Sequence, residues 1–111
     1  MNDKNTPKWI YVLRLCQRLW DSDNWSTEDA AIIQQHFEYL KSLTETGTMI
    51  MVGRTDVDMK DNIGFAVFAA NTKEEAEGIM NADPCIMHGI MTAELFPFRL
   101  SLFSKHFLFD L

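Results

Sequence analysis

Residues 26–54 read STEDAAIIQQHFEYLKSLTETGTMIMVGR, and the fold turns on how this stretch divides. Ser26 opens it as a helix N-cap, with Asp29 three residues on in a variant of the capping box. Glu28 and Asp29 place acid at the positive end of the helix dipole. With His36 set at zero and about 100° per residue, Ile32, Ile33, Tyr39, Leu40 and Leu43 fall within about 60° of it, and Phe37 at about 100°. Gln34, Gln35, Glu38, Lys41, Ser42 and Glu45 take the other side. The pattern predicts an amphipathic helix over 27–46, stopped at Gly47, a residue that adopts the left-handed terminator conformation without steric cost. The run 48–54 then changes to a strand, rich in apolar residues and ending in Gly53 and Arg54.

Residues 8–16 are β-branched and aromatic and predict a first strand. A polar loop at 21–24 separates it from the helix, flanked by Trp20 and Trp25, which could close as an aromatic lid or pack on a second subunit. After the second strand comes a polar loop at 56–62 and a third strand at 63–70. Thr72 with Glu75 makes a second capping box, opening a helix that reaches Asn81. Pro84 ends that helix or forces a short extra turn. A last strand covers 90–103, with Pro97 marking an edge or a bulge. The order strand, helix, strand, strand, helix, strand is that of two interlocked strand–helix–strand units. It predicts an α+β, ferredoxin-like sandwich: four antiparallel strands with two helices on one face. One domain over 1–111 is expected, its core at about 8–103 and an apolar tail at 104–111 that packs on something.

The strands carry a second message. One wet face would give alternating apolar and polar residues. Instead Ile10 and Val12 oppose Trp9, Tyr11, Leu13 and Leu15; Met49 and Met51 oppose Ile50 and Val52; Phe65 and Val67 oppose Ala66 and Phe68. Two helices cover one sheet face, so the other would leave more apolar surface than a monomer usually exposes. A homodimer joined through that face is the expected answer.

Composition bounds the function. Ten basic residues stand against sixteen acidic, a formal net charge of −6, and no Lys/Arg cluster exists to meet phosphates, so nucleic acid is not the expected partner. The apolar runs at 48–53 and 65–70 are too short to cross a bilayer, and the polar start Met1-Asn2-Asp3-Lys4-Asn5 lacks the apolar stretch of a secretion signal. A cytoplasmic protein is expected, with Cys16 and Cys85 as buried reduced thiols rather than a disulfide. His36, His88 and His106 lie on different elements without zinc spacing, and no phosphate-cradling glycine loop or Ser/His/Asp spacing occurs. No metal and no cofactor is expected.

His36 is the residue that does not fit a bland core. It puts an imidazole, which titrates near neutral pH, into an apolar stripe. Both helices run parallel on one sheet face, and at about 1.5 Å per residue His36 and Asp83 stand roughly 14 and 15 Å from their helix starts. A carboxylate on one ring nitrogen would fix the tautomer and leave the other nitrogen as acid or base. A core histidine satisfied by a carbonyl, and an Asp-Pro pair that merely caps a turn, are the alternatives. Arg14 shares a side with Ile10 and Val12, and Arg54 leaves the end of the second strand. Each is either paired or a clamp for a small anionic ligand.

Four stretches in this order resemble the YCII-related (YciI-like) family of the dimeric α/β-barrel superfamily: His36-Phe37-Glu38-Tyr39-Leu40 ending at Gly47; Val52-Gly53-Arg54-Thr55; Ala82-Asp83-Pro84 with Gly89; and Ala93-Glu94-Leu95-Phe96-Pro97-Phe98-Arg99. The resemblance spans about 9–103. It implies a ferredoxin-like fold, a dimer, and a site built on a His and an Asp, which fall on His36 and Asp83. Asp56 or Asp61, in the loop after Thr55, could serve as the Asp instead, and Asp56 also stands as a ligand contact. Most of the family have no established reaction, although a few relatives are linked to dehydrochlorination or related changes of aromatic-derived metabolites. A lyase or isomerase step suits His and Asp without a nucleophile. A non-catalytic dimeric binding module, or a structural dimer, is the alternative.

Overall fold

The computed structural model describes residues 5–104 and 106. The chain runs β1 (Lys8–Leu15), α1 (Thr27–Glu45), β2 (Met49–Arg54), β3 (Gly64–Ala69), α2 (Lys73–Asn81), α3 (Pro84–Met87) and β4 (Met91–Phe98), with two short 3₁₀ turns between β1 and α1. The four strands form one sheet in the order β2-β3-β1-β4, every neighbouring pair antiparallel. With the helices packed on one face, this is the ferredoxin-like α+β sandwich that the element order predicts.

The caps set the helix limits. Ser26 and Asp29 form the full reciprocal capping box, and Gly47 follows the helix at φ +89°, where a side chain would be strained. The second box is only half built. Thr72 accepts from the Glu75 amide, but Glu75 reaches back to the amide of Asn71 at 3.3 Å rather than to Thr72. Pro84 does force an extra turn: Asp83 caps α3, its side chain accepting from the Cys85 amide at 3.0 Å, with Pro84 at the first helical position where its missing N–H costs nothing.

Two strand details differ from the sequence expectation, the end of β4 and the register of β2, while the edge that Pro97 marks is borne out. β4 stops at Phe98 rather than at residue 103, because Phe98 pairs with Lys8, the first residue of β1, and among the described residues no partner strand continues beyond it. Pro97 lies within β4, tolerated there because β4 is an edge strand. In β2 the register shifts between Met49 and Met51, so Ile50 is bulged. Met49 and Val52 therefore share the helix-covered face, and Met51 turns outward, 51% exposed. The expected packing of the tail at 105–111 lies outside the described residues, apart from His106.

The main core sits between sheet and helices, where Tyr11, Leu13, Ala66 and Phe68 meet Leu40 and Ala76. A second cluster of Leu19, Ile32, Cys85 and Ile90 closes the end of the sandwich near the 3₁₀ turns. The loop between β1 and α1 is pinned there. Leu19 is fully buried, and Arg18 forks onto Asp29 with bonds of 2.8 and 2.9 Å. The outer sheet face carries Ile10, Val12, Met51, Phe65, Val67, Phe96 and Phe98, as the pairing register requires. No helix among the described residues is long and apolar enough to cross a membrane.

Candidate functional site

α1 and α3 pack together, and their contact brings His36 to Asp83. His36 Nδ1 lies 2.6 Å from Asp83 Oδ1. The Asp83 side chain is fully buried and that of His36 is 14% exposed. The same Asp83 Oδ1 accepts the Cys85 amide, while Oδ2 accepts the Tyr11 hydroxyl at 2.9 Å. Asp83 thus does both things its sequence context allowed: it caps α3 and it holds a histidine.

Two donors, the Tyr11 hydroxyl and the Cys85 amide, already face the carboxylate. An ionised carboxylate only accepts, and in that form the hydrogen between the two side chains would sit on His36 Nδ1. Neutral imidazole then carries its lone pair on Nε2. Tyr11 stays a donor: burial first, and the Asp83 charge second, hold its phenol far above its ordinary value of 10.0. The same two causes push the Cys85 thiol up to about 12. A thiol so held is neither a nucleophile nor a ready metal ligand.

His36, Asp83 and Cys85 nevertheless bring ligand-type atoms within 4.8 Å of one another, a gathering made by the fold and invisible in their spacing. Both Asp83 oxygens are already engaged and Cys85 holds its proton strongly, so a cation here would have to break the hydrogen-bond network. The donor set fits a hydrogen-bonded network better than a metal centre.

His36 also lines a cavity of about 670 Å³ between α1 and the sheet end. Leu13, Ile33, Phe37, Leu40, Val52 and Met91 make much of its wall, and Arg54 and Asn62 are the other polar residues on it. A volume of this order suits a small organic molecule. Trp25 joins the wall, its indole N–H tied to the Leu19 carbonyl at 2.9 Å, whereas Trp20 is not among the lining residues.

The sequence-predicted residues separate cleanly in space. His36 and Asp83 meet, and Arg54 reaches the same cavity. Arg14 is exposed and alternates with Leu13, which places it on the outer sheet face, away from the cavity. Asp56 and Asp61 are exposed in the loop after β2 and line no part of the cavity. Tyr11 escaped sequence reasoning because an aromatic residue in a strand reads as core. The signal was its phenol on the helix-covered face, where a buried hydroxyl needs a partner.

The fold, the paired His36 and Asp83 and the cavity beside them define a ferredoxin-like protein with a small-molecule-sized site. The YCII-related domain matches residues 11–99, and the chain belongs to that family. No curated protein matches the chain.

Proposed function

We propose that this YCII-related protein is a small-molecule enzyme in which His36 Nε2 takes up or delivers a proton, with Asp83 orienting the ring. The observation that carries this reading is the 2.6 Å contact between His36 Nδ1 and a fully buried Asp83, beside a cavity that His36 itself lines. A carboxylate on Nδ1 favours the imidazolium that forms when Nε2 acts as base, and fixes the tautomer beforehand. Among the described residues, the groups at the cavity supply proton transfer and no activated nucleophile, which suits a lyase, an isomerase or a dehydrochlorinase-like elimination. Replacing His36 by Asn tests it: proton abstraction from any compound turned over should fall to background, and unchanged turnover removes the reading.

The same cavity would serve a binding protein that performs no reaction, and its mostly apolar wall favours that as the second reading. Retained ligand binding with no turnover in the unaltered protein would select it.

The working form in this proposal is a homodimer. Met51 and Phe96, 51% and 45% exposed, stand on an outer sheet face beside the half-buried Ile10, Val12 and Phe65, and a second copy would cover them. We place the protein in the cytoplasm, where Cys16 and the buried Cys85, both free, would stay reduced.

A further inference from the structure

We propose that the cavity takes an apolar, ring-sized molecule bearing one carboxylate, and that Arg54 is the anchor for that carboxylate. The polar groups on the cavity wall are few, and two are spoken for. His36 Nδ1 is on Asp83, and the Asn62 amide group donates to the carbonyls of Thr55 and Val57. Arg54 differs: among the described residues its guanidinium has no ion-pair or hydrogen-bond partner. That is unexpected in a chain with sixteen acidic residues and ten basic, and with Asp56, Asp58 and Asp61 in the loop that follows. None of those three carboxylates pairs with it.

The register explains why the guanidinium is left open. Arg54 pairs with Gly64, so both stand on the helix-covered face, and Gly64 offers no side chain to hold or shield its neighbour. A planar fork of five donors at the edge of an apolar cavity matches the two oxygens of a carboxylate. The rest of the wall offers only apolar contact, so the body of the ligand must be hydrophobic. With its carboxylate on Arg54, the body extends toward His36, which would meet a carbon-bound proton. That last step rests on the acid–base reading of His36; the anchor itself does not.

Binding of 2-naphthoate and its neutral isostere 2-naphthamide, measured by calorimetry on the intact protein, separates the two ideas. The unaltered protein should prefer the carboxylate by about tenfold or more. Arg54→Gln should erase that preference, Arg54→Lys should restore part of it as a point charge without the fork, and His36→Asn should keep it. Equal binding of the two probes, binding of neither, or a preference that survives Arg54→Gln overturns the anchor. A preference that persists while His36→Asn leaves proton abstraction unchanged sinks the acid–base reading and spares the anchor.

Discussion

Tyr11 and Asp83, 72 residues apart in sequence, are joined by a buried 2.9 Å hydrogen bond from the centre of β1 to the cap of α3. The bond gives the Asp83 carboxylate a donor on the oxygen that does not face His36. Tyr11→Phe keeps the ring that packs edge-on against Phe68 at 5.7 Å and removes only the hydroxyl. It should cost about 1–3 kcal/mol of stability, the penalty for a buried acceptor left short of a partner, measured by urea unfolding. Proton-transfer rate should fall with little change in ligand affinity, since Tyr11 is not among the residues lining the cavity.

Asp83→Asn keeps the shape and changes the hydrogen-bond logic. An amide has one accepting oxygen where the carboxylate has two, and Asp83 serves three donors. Turnover should drop roughly 10²–10⁴-fold, the range typical of a lost acid–base contribution. Asp83→Ala should destabilise the fold further, because α3 also loses its cap. Circular dichroism melts on the two variants check the order.

Asp29 should govern part of the acid stability. The Arg18 fork, and after it the Ser26 backbone amide, hold its carboxyl well below the usual carboxylate range. A group depressed in the folded state adds stability above its unfolded value and loses it as pH falls toward the folded one. Asp29→Asn should therefore lower the melting temperature at pH 6, and the gap to the unaltered protein should narrow below about pH 4. A gap that stays constant down to pH 2 would contradict this.

The two thiols should react differently. Cys85 is fully buried and its thiol is pushed up to about 12, while Cys16 is partly exposed. At pH 8 iodoacetamide should modify Cys16 slowly and leave Cys85 untouched until urea unfolds the chain, as read by mass spectrometry.

The outer sheet face offers a fifth test. Phe96→Glu places a charge where the proposed second copy packs, and light scattering should show the dimer mass halved at micromolar concentration. A monomeric unaltered protein would contradict the proposed assembly.

The fold was legible because local signals agreed with one another. The Ser26 and Asp29 box, the stripe through His36 and the stop at Gly47 each point to the same helix, and α1 starts and ends there. The bulge at Ile50 was not legible, since a two-residue period has no way to mark an extra residue in an all-apolar strand. Of the candidate site, His36 stood out as a polar residue on an apolar face, and similar helix heights pointed to Asp83. Arg14 and Asp56 were weaker because their sequence context gives no face relative to the cavity. Tyr11 was hidden, as its hydroxyl acquires meaning only once β1 lies under α3.

Proton transfer by His36 is read most directly as hydrogen exchange. Cyclic unsaturated carboxylic acids, incubated in D₂O with the unaltered protein and with His36→Asn, can be followed by proton NMR for loss of carbon-bound hydrogen. Exchange above background with the unaltered protein, abolished in His36→Asn and reduced in Asp83→Asn, is the predicted result. Exchange at the same rate in His36→Asn would contradict it.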